Sequence, residues 1–206
     1  MRLALLIACL CCMPLFGQQV LDENIQGLVS TYTEASQISC EITVNIQVEG
    51  MEIPEKTVLV DFEKGEKPKI KGKGLALLPK KGMINQFQEL LKTPLQAIAL
   101  GEENGNLLYK LVSLDEKSHW VTADIVFNKD NYRIYEAKVN TRKHGAFKAV
   151  HTYTNGKYPT ESVITFNVKK FELPLQFIGR QSKLVEAPEI DEETEGKIIL
   201  QYKYLE

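Results

Sequence analysis

Between Ile38 and Val48 the chain alternates without a break. Ile38, Cys40, Ile42, Val44, Ile46 and Val48 are apolar, and Ser39, Glu41, Thr43, Asn45 and Gln47 between them are polar. A period of two sends the two sets to opposite faces of a strand, so this segment reads as a half-buried antiparallel strand ended by Glu49-Gly50. Ahead of it, Ile25, Leu28, Val29, Tyr32 and Ala35 recur at helical spacing behind Asp22, a residue suited to cap a helix N-terminus, which predicts one amphipathic helix over residues 23–36. Beyond Pro54, Val58, Val60 and Phe62 alternate with Thr57, Asp61 and Glu63, and Lys64-Gly65-Glu66-Lys67 reads as the turn into a strand near residues 68–74. Helical spacing returns only at Met83, Ile84, Phe87, Leu90 and Leu91, giving a second helix over 83–92 stopped by Thr93-Pro94.

From residue 106 the pattern is β again. Leu107, Tyr109 and Leu111 alternate, then Val121, Ala123, Ile125 and Phe127, then Tyr135, Ala137 and Val139, then Phe147, Ala149 and Tyr153, then Ile164, Phe166 and Val168, and finally Ile198, Leu200, Tyr202 and Tyr204. The breaks carry turn residues: Asn128-Lys129-Asp130-Asn131, Arg142-Lys143-His144-Gly145, and the hairpin-favouring pair Asn155-Gly156. Nine or ten strands joined by short links make an antiparallel meander, because parallel neighbours need crossovers of about a dozen residues or more. The fold class is therefore mainly β with α (α+β): a strongly curved antiparallel sheet, or incomplete β-barrel, with the two helices covering its concave face. A closed lipocalin-like barrel is the alternative, disfavoured because the second helix interrupts the strand series.

Composition changes this picture at one place. The whole chain has 206 residues, 25 Lys+Arg against 27 Asp+Glu and 4 Cys, a near-neutral balance that does not draw a protein onto nucleic acid. Three of the cysteines, Cys9, Cys11 and Cys12, lie in an apolar run behind Arg2, and Pro14-Leu15-Phe16-Gly17 is followed by polar Gln18-Gln19. Residues 1–17 read as a secretory signal peptide; the run is too short for a bilayer span. Residues 18–206 then form a single exported domain with 24 basic and 27 acidic residues and the lone Cys40, a small buried hydrophobe that can form no internal disulfide. The alternative is a lipoprotein signal, since Leu6-Ile7-Ala8-Cys9 has the apolar-apolar-small-Cys order, and acylation of Cys9 would anchor the protein to a membrane. Cleavage there leaves an apolar core of residues 3–8 only, short against the roughly 7–15 expected.

Catalytic chemistry finds little support. His119, His144 and His151 fall on separate elements, Asp115-Glu116 and Asp124 are single acids at strand ends, and no H-x-x-x-H, C-x-x-C, G-x-S-x-G or phosphate-cradling glycine loop occurs. The expectation is a protein that is not an enzyme and needs no metal or cofactor. Lys67, Lys69, Lys71 and Lys73 recur at period two, followed by Lys80 and Lys81. Such a strand either guards a sheet edge against aggregation or touches an anionic surface such as lipid head groups or an acidic partner. The apolar inventory remains: a large sheet with few helices over it can leave an unfilled concavity, and an unfilled apolar concavity binds apolar ligands.

The order of elements, with Leu108-Tyr109-Lys110-Leu111-Val112-Ser113-Leu114-Asp115 and then Ile125-Val126-Phe127-Asn128 through Tyr132-Arg133-Ile134-Tyr135, resembles the periplasmic lipoprotein carriers of bacteria, the LolA/LolB-like or outer-membrane lipoprotein-sorting family. The similarity lies in a strand ending in a leucine-aspartate step, followed by strand, polar turn and strand. Two features depart from the family: Gly74 to Pro79 lacks its aspartate-glycine-lysine step and following aromatic strand, and its interior arginine has only Arg133 as a candidate counterpart. The resemblance implies an incomplete barrel with a helical lid that shelters lipoprotein acyl chains or another amphiphilic lipid in the periplasm. It implies a monomer, either carrying such ligands or serving as an interaction or sensor module for an envelope protein. The implied apolar lining is Ile42, Val44, Ile46, Val58, Val60, Phe62, Phe87, Leu91, Val121, Ile125, Phe127, Phe147, Phe166 and Val168.

Overall fold

Asp22 starts the helix. In the computed structural model, which describes residues 22–33, 37–49, 53–63, 69–71, 90–91, 93–168 and 194–205, the Ile25 N–H donates to Asp22 Oδ1 at 3.0 Å and the Gln26 N–H to the Asp22 carbonyl at 2.9 Å. These two bonds satisfy donors that the first turn leaves open. Helix α1 runs over Glu23–Thr33 and buries Ile25, Leu28 and Tyr32. Of the second expected helix, Leu90 and Leu91 are helical and buried, and the rest lies outside the described residues.

The strands are β1 (Gln37–Val48), β2 (Lys56–Glu63), β3 (Lys69–Lys71), β4 (Leu95–Glu103), β5 (Asn106–Ser113), β6 (Trp120–Asn128), β7 (Ile134–Thr141), β8 (Ala146–Thr152), β9 (Glu161–Asn167) and β10 (Glu195–Leu205). They make one curved antiparallel sheet in the order β3-β2-β1-β10-β9-β8-β7-β6-β5-β4. β4 to β9 are a plain meander, and β10 inserts between β9 and β1. Because β3 and β4 are the two margins and do not pair with each other, the sheet is unclosed, which sets aside the lipocalin-like alternative.

The alternating positions are buried on one face. They form two apolar clusters: one joins Ile25, Leu28 and Tyr32 of α1 and Leu90 and Leu91 to β4–β7, and the other joins β1, β2 and β8–β10. Half-buried Phe147 packs against both. Among the described residues no helical side chain from α1 or Leu90–Leu91 enters the second cluster.

Register breaks move three side chains. Val121 is an extra residue between Trp120 and Thr122, so Trp120 takes the buried position and Val121 is only half-buried. Tyr135 is likewise extra, and Ile134 replaces it inside. In β4 the extra residue is Leu100, which is 55% exposed. A bulge adds one residue to one strand and so inverts the parity beyond it. The tight left-handed turn is Asn104-Gly105, with φ of 51° and 76°, the conformation that a two-residue type I′ hairpin requires. Asn155-Gly156 instead falls within the longer link between β8 and β9, residues 153–160.

Candidate functional site: the inner face of the half-barrel

Antiparallel pairing sets the alternating residues of successive strands side by side. One inner row runs Ile46, Ile198, Ile164, Ala149, Ala137, Ile125, Tyr109 and Ala99, crossing from β1 to β4 with no charged or polar-amide residue in it. Ala149 and Ala137 sit at its middle, so the face is shallowest where the two clusters meet. The next row is Val44, Leu200, Ser162 and His151, and beside it Ile42 and Cys40 pair with Val58 and Val60. Where β10 offers Gly196, the ring of its cross-strand partner Phe166 fills the space: a β carbon there would lie 2.6 Å from Phe166 Cζ.

The expected lining residues divide between the clusters. Ile42, Val44, Ile46, Val58, Val60, Phe62, Phe166 and Val168 are buried in the second cluster, Leu91, Ile125 and Phe127 in the first, and Phe147 lies between. Val121 does not join them, because the bulge turns it from the buried position. Phe87 lies outside the described residues. Ile164, Ile198, Leu200 and Tyr202 belong on the same face, and their alternation in β9 and β10 was the signal for them.

Polar groups on this face are few. His151 Nδ1 is 2.7 Å from Ser162 Oγ, and burial pulls the imidazole down to about 4, so it is neutral near pH 7. Burial, helped by nearby Asp61, pushes the Cys40 thiol up to about 12, which makes it unreactive. One end of the half-barrel is closed by tyrosines. Tyr153 donates to the Ile134 carbonyl at 2.8 Å, Tyr32 Oη accepts the Ile134 N–H at 3.3 Å, and Tyr204 donates to the Pro159 carbonyl at 2.8 Å. Burial raises the pKa of each of these phenols. Arg133 is at that rim, with its guanidinium 5.4 Å from the Tyr153 ring centre and a hydrogen bond of 3.2 Å to the Asn155 carbonyl; it is not an interior arginine.

The basic strand is an edge. Lys69 pairs with Glu63 at 3.2 Å and Lys71 with Asp61 at 3.3 Å, across from β3 to β2. A hydrogen bond from Ser39, and then Lys71, hold the Asp61 carboxyl below its usual range. Lys67 and Lys73 lie outside the described residues. His119 and His144 are exposed in the β5–β6 and β7–β8 links, at the other end of β8 from His151, and among the described residues no three His, Cys, Asp or Glu side chains gather as a metal site would need. No described helix is long and apolar enough to cross a membrane.

These features define a class: an unclosed antiparallel half-barrel with one apolar face. No family model matches the sequence, and no curated protein matches it. The fold resembles that of LolA-like proteins. A LolA superfamily protein from Nitrosomonas europaea superposes with a TM-score of 0.52 at 9% identity, over 88% of this chain and 92% of that one. A DUF1329 family protein from Desulfovibrio piger (TM-score 0.49, 8% identity) and an outer membrane lipoprotein-sorting protein domain from Vibrio parahaemolyticus (0.42, 12%) align over the same shares of both chains. At 9% identity the likeness to the Nitrosomonas europaea protein is one of fold.

Proposed function

We propose that this protein is a non-enzymatic periplasmic carrier or binder of lipoproteins or other amphiphiles, which shelters acyl chains against the inner face of its half-barrel. The observation that carries the proposal is the apolar row crossing from β1 to β4 in a sheet that never closes. In this proposal residues 1–17 direct export, residues 18–206 act as one monomeric domain, and α1 covers the β5–β7 side of the concave face as a lid. The acyl chains then lie along the inner row beneath the lid, on Ile42, Val44, Ile46, Val58, Val60, Phe62, Leu91, Ile125, Phe127, Phe147, Phe166 and Val168. Burying each CH2 is worth about 0.8 kcal/mol, so such a ligand needs apolar area and few polar contacts. Acylation of Cys9 would give the same domain a membrane anchor.

The test is uptake of a hydrophobic fluorescent probe by the purified domain. Wild type is expected to bind the probe, and Val44→Trp, with its circular dichroism unchanged, to block it. Uptake no greater than that of a control globular protein sinks the carrier reading and leaves an envelope interaction module on the same fold. That module would not depend on a free basic strand, because Lys69 and Lys71 are each paired with an acid of β2.

A further inference from the structure

The two margins of the sheet are built differently. β3 is three residues long and carries Lys69 and Lys71, the usual protection of an edge. β4 is nine residues long and has no lysine, arginine or proline within Leu95–Glu103. Beyond Leu95 only Ala97 is even half-buried, and Ile98 and Leu100 are 41% and 55% exposed. Among the described residues nothing pairs with its outer side.

Its hydrogen-bonding groups can be assigned. The Leu114 N–H donates to the Pro94 carbonyl at 2.9 Å, which makes Pro94 and Leu114 a bonded pair. Bonded and non-bonded pairs alternate in an antiparallel ladder, so Gln96 with Val112 and Ile98 with Lys110 are bonded too. The N–H and C=O groups of Leu95, Ala97 and Ala99 therefore face away from β5, along the open margin. The extra residue Leu100 ends this regular stretch. What is left is a template for about five residues of extended chain.

We propose that β4 binds, by strand addition, the extended polypeptide that directly follows the acylated terminus of a lipoprotein cargo. This rests on the carrier reading above. The apolar inner row runs from Ile46 on β1 to Ala99 on β4, so acyl chains lying along it bring their attachment point to one of its ends, and among the described residues β4 is the end with a free ladder. Main-chain bonding is indifferent to side chains, which suits a carrier of cargoes with different sequences.

The domain is titrated with a fluorescent fatty acid, with a diacyl-cysteinyl lipopeptide bearing a six-residue Ser/Thr/Ala tail, and with the same lipopeptide N-methylated along the tail. Wild type is expected to hold the unmodified lipopeptide at least tenfold more tightly than the N-methylated one. Ala97→Pro removes an outward N–H without removing a bond within the sheet, and it is expected to erase that difference while fatty-acid affinity is unchanged. Equal affinity of wild type for both lipopeptides, with the fatty acid bound, overturns strand addition and leaves the carrier reading standing. No fatty-acid binding removes both. A wild-type dimer in sedimentation that Ala97→Pro converts to monomer assigns the edge to a second copy and likewise overturns the proposal.

Discussion

Tyr132 lays its phenol ring directly on Gly27: a β carbon built on Gly27 would fall well inside contact distance of the ring carbons and hydroxyl oxygen. The ring is aimed there by the β6–β7 turn. Tyr132 has φ of 56°, its N–H donates to the Asn128 carbonyl at 2.9 Å, and Asn128 Oδ1 accepts from the N–H groups of Asp130 and Asn131. A left-handed non-glycine residue costs about 1 kcal/mol or more, and the ring's seat against α1 and Phe127 offsets it. The glycine thus lets α1 approach the turn.

Gly27→Ala is expected to destabilise the protein by about 1–3 kcal/mol through overpacking, although alanine favours helix by nearly 1 kcal/mol. In a Tyr132→Ala background the same change should become neutral or stabilising. Urea unfolding followed by the fluorescence of Trp120, the one tryptophan, reads both, and destabilisation of equal size in both backgrounds would remove the proposed contact.

Ile134 sits beside a bulge, and its two backbone groups are satisfied by tyrosines, the C=O by Tyr153 and the N–H by Tyr32. With the Tyr153 proton committed to that carbonyl, Tyr32 donates across the 3.5 Å to Tyr153 Oη. Tyr153→Phe strands a buried carbonyl and is expected to lower stability by about 1–3 kcal/mol. The double variant with Tyr32→Phe should lose less than the two singles added, which a double-mutant cycle measures.

His151 makes stability depend on pH. Its folded pKa of about 4 lies below the usual 6.5, so the unfolded chain takes up the proton first as pH falls. The full contribution is present above about 6.5 and is lost as pH falls toward 4, at up to about 1.4 kcal/mol per pH unit. Urea midpoints at pH 7.5, 6 and 5 should fall more steeply for wild type than for His151→Gln, while parallel lines would place the dependence elsewhere.

Much of the fold was legible because one face of the sheet is buried: where a strand has an inside and an outside, as in Ile38–Val48, period two reports it. β4 escaped notice for the opposite reason. Both of its faces are mostly exposed, so Leu95–Glu103 does not alternate, and without a strand before it the Asn104-Gly105 turn had nothing to close. Val121 and Tyr135 were assigned to the wrong face because a bulge is a property of pairing, invisible in either strand alone. The apolar lining was legible as residues but not as a site, since a filled core and a ligand-bearing trough share one pattern of hydrophobicity.

The insertion of β10 between β1 and β9 constrains the order in which the chain can fold. β4 to β9 can pair as they emerge, each with its predecessor, but β1, β2 and β3 join them only through β10, the last of the ten strands to be made. Contacts so distant in sequence form late. The two halves of the half-barrel are therefore held apart until the final strand arrives, so β10 acts as the clasp that joins them.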